Sequence, residues 1–190
     1  MGKVQFAVSA KTARLIGREN ISDVDGAIIE LIKNSYDADA TCVHVTLNMP
    51  FPSVPRKINY ELCNLVFDTN EMAYLLCFYT NVNTHLEKKP DLSVEQDEEL
   101  RSFLYSKNHI IVMDNGSGMT ERILCNAWMN IGTDDKEEKR ISAGGRIKTG
   151  AKGIGRFALD KLSTATTVIT KHIDDSLKEW RIDWEQFETA

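Results

Sequence analysis

The apolar run His109–Asp114 (HIIVMD) ends on an aspartate and passes directly into Asn115-Gly116-Ser117-Gly118-Met119. No other junction limits the possible folds of this chain as much. The run is short and apolar and stops at a turn signal, which predicts a buried strand. Two glycines beyond it let the backbone approach a bound group closely, and the strand end leaves the Asp114 carboxylate facing a cavity. A carboxylate placed there can accept from an exocyclic amine such as adenine's. A type I′ or type II turn with Asn-Gly as filler fits the same residues.

Two further polar segments flank this one in sequence. A helix is predicted over Ser22–Ala40, with Ser22 or Asp23 as N-cap and Asp23 and Asp25 at the positive end of its dipole. It places Glu30, Asn34 and Asp37 at i, i+4 and i+7, within about 60° of one another. Ile28 and Ile32 point to the opposite side with Leu31 between, so the helix is predicted to be buried on more than one face. The stripe has two readings. It is the solvated face of an amphipathic helix, or its amide oxygen ligates a hard cation while a carboxylate polarises water. The other segment is Gly150-Ala151-Lys152-Gly153-Ile154-Gly155-Arg156, set against a predicted helix Gly155–Leu162. Its glycines let successive amides point inward at a helix start, an anion site with Lys152 as counter-charge. A flexible linker is the alternative.

Two familiar phosphate motifs fail. Gly145 and Gly150 have the first Walker A spacing, but Ala151 stands where the lysine is required. Gly150, Gly153 and Gly155 read GxxGxG, which is not the dinucleotide fingerprint.

At 190 residues the chain is long enough for one sizeable core. Its 23 Lys and Arg against 28 Asp and Glu give −5, which argues against a dedicated nucleic-acid or anionic-membrane binder. Cys42, Cys63, Cys77 and Cys125 form no CxxC pair, which excludes the usual zinc spacings and suggests reduced thiols. With no signal-peptide core and no long apolar span, the expectation is a cytoplasmic protein without a membrane partner. A short helix is expected at Thr12–Arg18, a strand at Cys42–Leu47, and helices at Met72–Leu86, Ser93–Tyr105 and Thr120–Asn130. Strands are expected at Thr164–Lys171 and Glu179–Trp184, joined by a turn at Asp174-Asp175. Gly132–Gly150 reads as a lid, too charged to pack and too glycine-rich to stay rigid. Interspersed helices and strands fit an α+β class.

In this order, ELIKNSYDADA (30–40), DNGSGM (114–119) and GAKGIGRFALDKL (150–162) strongly resemble the N box and two glycine boxes of the GHKL superfamily. That is the gyrase, heat-shock chaperone, histidine kinase and MutL group, with its Bergerat ATP-binding fold. The resemblance implies an α+β two-layer α/β sandwich, with a mixed sheet and helices on one face. It implies a single ATP-binding domain over 1–190, with an insertion at about 50–108, as the N-terminal part of a longer protein. ATP and Mg²⁺ are the implied cofactors. Glu30 would be the general base for water and Asn34 the Mg²⁺ ligand. Asp114 would bind the adenine amine, with Gly116, Gly118 and Met119 along the base. Gly150, Lys152, Gly153, Ile154 and Gly155 would cradle phosphates; Thr133 could reach phosphate from the lid, and Asp37 would support the base pocket or its water. NSYDA with an acid at Glu30 looks like the ATP-hydrolysing heat-shock chaperone, MutL and MORC-like branch. That branch implies a nucleotide-driven conformational switch that homodimerises with ATP, and downstream domains that bind a DNA or protein client. A histidine-kinase-like catalytic domain and a non-hydrolysing nucleotide-binding interaction module are the alternative functions.

Overall fold

A computed structural model describes residues 15, 19, 21, 23–125, 141–149, 157–184 and 186. The chain divides into two compact units, Met1–His44 with Val112–Ala190, and Val45–Ile111. It passes between them within β1 (Val43–Asn48) and β5 (His109–Asp114), which pair as a two-stranded sheet.

The first unit opens its described structure with α1, Val24–Asp37, capped by Asp23, whose Oδ1 accepts from Gly26 N at 2.7 Å. Its buried positions are Ala27 and Ser35, with Leu31 half-buried between them, a stripe at four-residue spacing. The expected inward Ile32 is 39% exposed and Ile29 is 51% exposed. Ala27 and Leu31 face inward where α1 packs against α6 (Ala158–Leu162), in the cluster of Ile21, Ala27, Phe157, Ala158, Ile182 and Trp184. A larger side chain at Ala27 has no room there. Strands β6 (Ala165–Thr170) and β7 (Lys178–Asp183) pair antiparallel, from Ala165 opposite Asp183 to Thr170 opposite Lys178. They supply Val168, Trp180 and Ile182 to the same cluster. The two strands expected there are present.

The second unit runs β2 (Lys57–Asn59), α2 (Tyr60–Val66), α3 (Thr69–Leu75), β3 (Tyr79–Val82), β4 (His85–Lys88) and α4 (Val94–Tyr105), with sheet order β2-β4-β3. Its core is Phe51, Ile58, Cys63, Phe67, Leu75, Phe78, Tyr79, Leu86, Leu100 and Leu104. Rings of Phe51, Phe67 and Phe103 stack in series, and Tyr74 meets Phe103 edge-on. The helix expected over Met72–Leu86 is corrected. It ends at Leu75, and Tyr79–Lys88 forms a hairpin turning at Asn83, whose φ is 42°. Aromatic and β-branched Phe78-Tyr79-Thr80 favour strand, and asparagine tolerates the left-handed turn. Helix α4 follows expectation, with Ser93 and Gln96 forming a capping box.

Helix and strand mix within each unit, and the sheets of known register are antiparallel, an α+β architecture. Of the helix expected at Thr120–Asn130, α5 (Glu121–Ile123) is described, capped by Thr120, and 126–130 lie outside the described residues. The helix expected at Thr12–Arg18 lies outside them except for Leu15. All four cysteines are free. No helix among the described residues is long and apolar enough to cross a membrane.

Candidate functional site

The end of α1 and the 114–119 segment meet in the first unit. Asp114 Oδ2 accepts from Ser35 Oγ at 2.9 Å, and Oδ1 accepts from Gly116 N at 2.8 Å. Ser117 N donates to Ala38 O at 2.8 Å. Among the described residues, each Asp114 oxygen therefore accepts one bond and keeps a lone pair for another donor. Neither Asn115 nor Gly116 has positive φ, so the hairpin-type I′ turn is not formed here. Instead Asn115 is a brace. Its Oδ1 accepts from Thr41 N and Cys42 N, both at 2.9 Å, and its Nδ2 donates to Thr41 Oγ1 at 2.8 Å.

Both glycines of this segment are required by space. A Cβ on Gly116 would stand 2.7 Å from Ala38 O. Gly118 has φ +67°, and a Cβ there would stand 2.2 Å from Lys171 O. Met119 N donates to Oγ1 of the buried Thr170 at 2.8 Å, which fixes the segment to the end of β6. Beyond it, Asp175 in the β6–β7 turn accepts from Glu121 N and Ser176 N at 2.8 and 2.7 Å. These amides, with Lys178 nearby, hold the Asp175 carboxyl below its ordinary range.

On α1, Glu30 is half-buried and accepts from Lys33 Nζ at 2.7 Å. Asn34 is half-buried one turn on. Asp37 accepts from Thr149 N at 2.8 Å and Thr149 Oγ1 at 3.1 Å. Asp39 follows with φ 63°. Its Oδ1 accepts from Ser142 Oγ at 2.5 Å and its Oδ2 from Gly144 N at 2.8 Å. Ser142 first, then the Gly144 amide and the Arg146 charge, hold this carboxyl below the usual range. The second half of the expected lid is therefore corrected. Residues 141–149 are tied down by polar bonds, mostly from neutral hydroxyl and amide donors of Ser142, Gly144 and Thr149 to the Asp39 and Asp37 carboxylates. Thr133, Gly150, Lys152, Gly153, Ile154 and Gly155 lie outside the described residues.

Ser35, Asn115, Asp39, Arg146, Thr149 and Thr170 contribute contacts that the sequence alone did not assign. Asp39 and Asn115 carried a signal, since both residue types favour turns and local side-chain bonds. Thr149 and Thr170 carried none.

The depressed Asp39 carboxyl fixes the sign of a pH effect. A group whose folded value lies below its unfolded value contributes stability above the unfolded value, and loses it as pH falls through the folded one. The unfolding-midpoint difference between wild type and Asp39→Asn should hold from about pH 7 to 5 and shrink below about pH 4. Thermal unfolding across that range measures it, and a difference that widens in acid contradicts the assignment.

A hard cation fits the donor set in one specific way. No group of three or more His, Cys, Asp or Glu that could hold a metal occurs among the described residues. Mg²⁺ does not need one, since it is commonly held by one or two protein oxygens together with phosphates and water. The Asn34 amide oxygen is such a donor. No curated protein matches the chain. The family model described as histidine kinase-, DNA gyrase B- and HSP90-like ATPase matches residues 81–190. The match spans the Asp114–Met119 and Gly150–Gly155 segments, while α1 precedes it. A match over more than half the length, with Asp114 braced above two glycines that admit no side chain, makes this chain a member of the histidine kinase-, DNA gyrase B- and HSP90-like ATPases, the GHKL superfamily.

Proposed function

We propose that this chain binds ATP with Mg²⁺ and hydrolyses it as a nucleotide-driven conformational switch of the heat-shock chaperone, MutL and MORC-like kind. The observation that carries the reading is the Asp114 carboxylate, oriented by Ser35 Oγ and Gly116 N and retaining acceptor capacity among the described residues. An exocyclic amine supplies the missing donor; a carbonyl at the same place does not. Gly116 and Gly118 let the 114–119 segment lie tight against Ala38 and Lys171, which holds the Asp114 end in place, and Met119 lies half-buried beside them. Asn34 offers its amide oxygen to the cation, which when bound with the triphosphate neutralises phosphate charge. Glu30 takes the proton of the attacking water. The Gly150–Gly155 segment and Lys152 supply amides and a counter-charge for phosphate, with Thr133 as a further donor. In the full protein, ATP-dependent homodimerisation and client-binding domains downstream complete the switch. The Val45–Ile111 unit, with a core of its own, is read as an insertion into the nucleotide domain.

The test is nucleotide selectivity. Asp114→Asn should weaken ATP binding by about 1–3 kcal/mol, the scale of one charge-assisted hydrogen bond to the adenine amine. The wild type should prefer ATP to GTP by calorimetry. Equal affinities for the two nucleotides would remove the basis of the assignment.

A further inference from the structure

The 114–119 segment is clamped in both halves, by different elements. In the first half, Ser117 N donates to Ala38 O at 2.8 Å, and a Cβ on Gly116 would stand 2.7 Å from the same oxygen. The second half lies against the end of β6. A Cβ on Gly118 would stand 2.2 Å from Lys171 O and 3.1 Å from His172 N, and Met119 N donates to Thr170 Oγ1 at 2.8 Å. Thr170 is the last residue of β6, sits opposite Lys178 of β7 and is buried. Its bond to Met119 N is partly buried, so water does not fully replace the hydroxyl when it is removed.

Just beyond, a second tie joins the same hairpin to α5. Glu121 N donates to Asp175 Oδ2 at 2.8 Å, and Glu121 Oε2 accepts from Lys178 Nζ at 2.6 Å. The two ties differ in what they fix. The Asp175 tie holds the start of α5, past the end of the segment. The Thr170 tie holds Met119, the residue along which the base is read to lie, in the same short segment as the Asp114 carboxylate that reads its amine. Amine and carboxylate align only while the edge under the ring keeps its distance from Asp114, since a hydrogen bond weakens steeply with angle. An edge fixed in advance also has less to lose in ordering when the ligand arrives.

We propose that Thr170 is a positioning residue for base recognition: its buried hydroxyl, by accepting from Met119 N, sets Met119 at a fixed distance from the Asp114 carboxylate and carries part of the preference for adenine over guanine. Thr170 acts through Met119. The proposal rests on the nucleotide reading above and adds to it a residue of β6 that the sequence did not assign. Asp114, Met119, Thr170 and Asp175 all belong to the first unit.

The experiment measures Mg-ATP and Mg-GTP binding by calorimetry for the wild type and its variants. Thr170→Val keeps the branched shape of the side chain and removes the acceptor. It should weaken ATP about tenfold and GTP by less than about twofold, because GTP presents no amine for Asp114 to align. Thr170→Ser keeps the hydroxyl and should stay within about twofold of the wild type for both nucleotides. Asp175→Ala removes the neighbouring tie. It should lower the unfolding midpoint and leave the preference for ATP over GTP within about twofold of the wild type. A preference unchanged in Thr170→Val overturns the proposal, as does a serine variant that behaves like the valine one. An equal loss of preference in Asp175→Ala also overturns it, since any loosening of the hairpin would then suffice. If Thr170→Val does not fold, Thr170→Ala carries the same test. A wild type that binds ATP no better than GTP overturns the adenine reading and this proposal with it. A wild type that prefers ATP, with that preference intact in Thr170→Val, overturns this proposal alone.

Discussion

Gly118→Ala should lower the unfolding midpoint by about 10 °C and remove the increase in midpoint that ATP produces. Two costs coincide at this residue. The positive φ of 67° strains any side chain, and the added Cβ would stand 2.2 Å from Lys171 O, a backbone atom that cannot rotate away. Strain and overpacking each cost about 1–3 kcal/mol, and 3 kcal/mol in a chain of this size corresponds to roughly 6–12 °C. Relief requires the 114–119 segment to part from the end of β6, where Met119 N meets Thr170 Oγ1. That displacement also moves the edge against which the base is proposed to lie. The chain contains controls for both costs. Gly145 has φ +85° and nothing within 4 Å of the point where a Cβ would stand, so Gly145→Ala isolates the strain. Gly116→Ala adds a contact at 2.7 Å with Ala38 O, at a residue without positive φ. Thermal unfolding of all three, with and without ATP, should rank Gly118→Ala lowest. A Gly118→Ala midpoint no lower than that of Gly145→Ala would mean that the Lys171 contact relaxes without cost.

Glu30→Gln should lower phosphate release by about 10²–10⁴-fold while Mg-ATP affinity stays within about threefold, because the change removes a proton acceptor and leaves the phosphate contacts in place. Glu30 accepts from Lys33, and both side chains remain partly open to solvent, so the pair can separate at little cost when the carboxylate turns to water. Asn34→Ala should do the reverse, weakening nucleotide binding in a magnesium-dependent way. Single-turnover phosphate release beside equilibrium binding separates the two. If Glu30→Gln loses affinity as severely as Asn34→Ala, the α1 stripe is a structural face and the hydrolytic assignment falls.

Several features of the fold are written locally in the chain. Asp23 capping α1, the Ser93–Gln96 capping box and the β6–β7 hairpin depend on residues near one another in sequence. Their geometry follows from local bonding and alternation, so they were legible. The stretch from Arg56 to Lys89 was not, because its apolar residues serve one core from two helices and three strands at once. Mixed spacing there reflects convergence on Leu75, Tyr79 and Leu86, and no single period describes it.

The same division runs through the candidate site. Residue order alone dictates that an aspartate ends a strand before two closely spaced glycines, and that a carboxylate and an amide share one face of α1, since backbone periodicity sets both. Which way α1 turns is a matter of packing. It buries Ala27 in the cluster shared with α6, with Leu31 packed beside it, buries Ser35 beside Asp114, and leaves Ile29 and Ile32 exposed. The partners of the polar groups likewise follow from the assembled fold. Ser35 reaches Asp114 across 79 positions, Ser142 reaches Asp39 across 103 and Thr149 reaches Asp37 across 112. Hydrogen bonds over such separations leave no local period in the sequence; they exist only once apolar packing has brought the helix end, the strand end and the 141–149 stretch to one place.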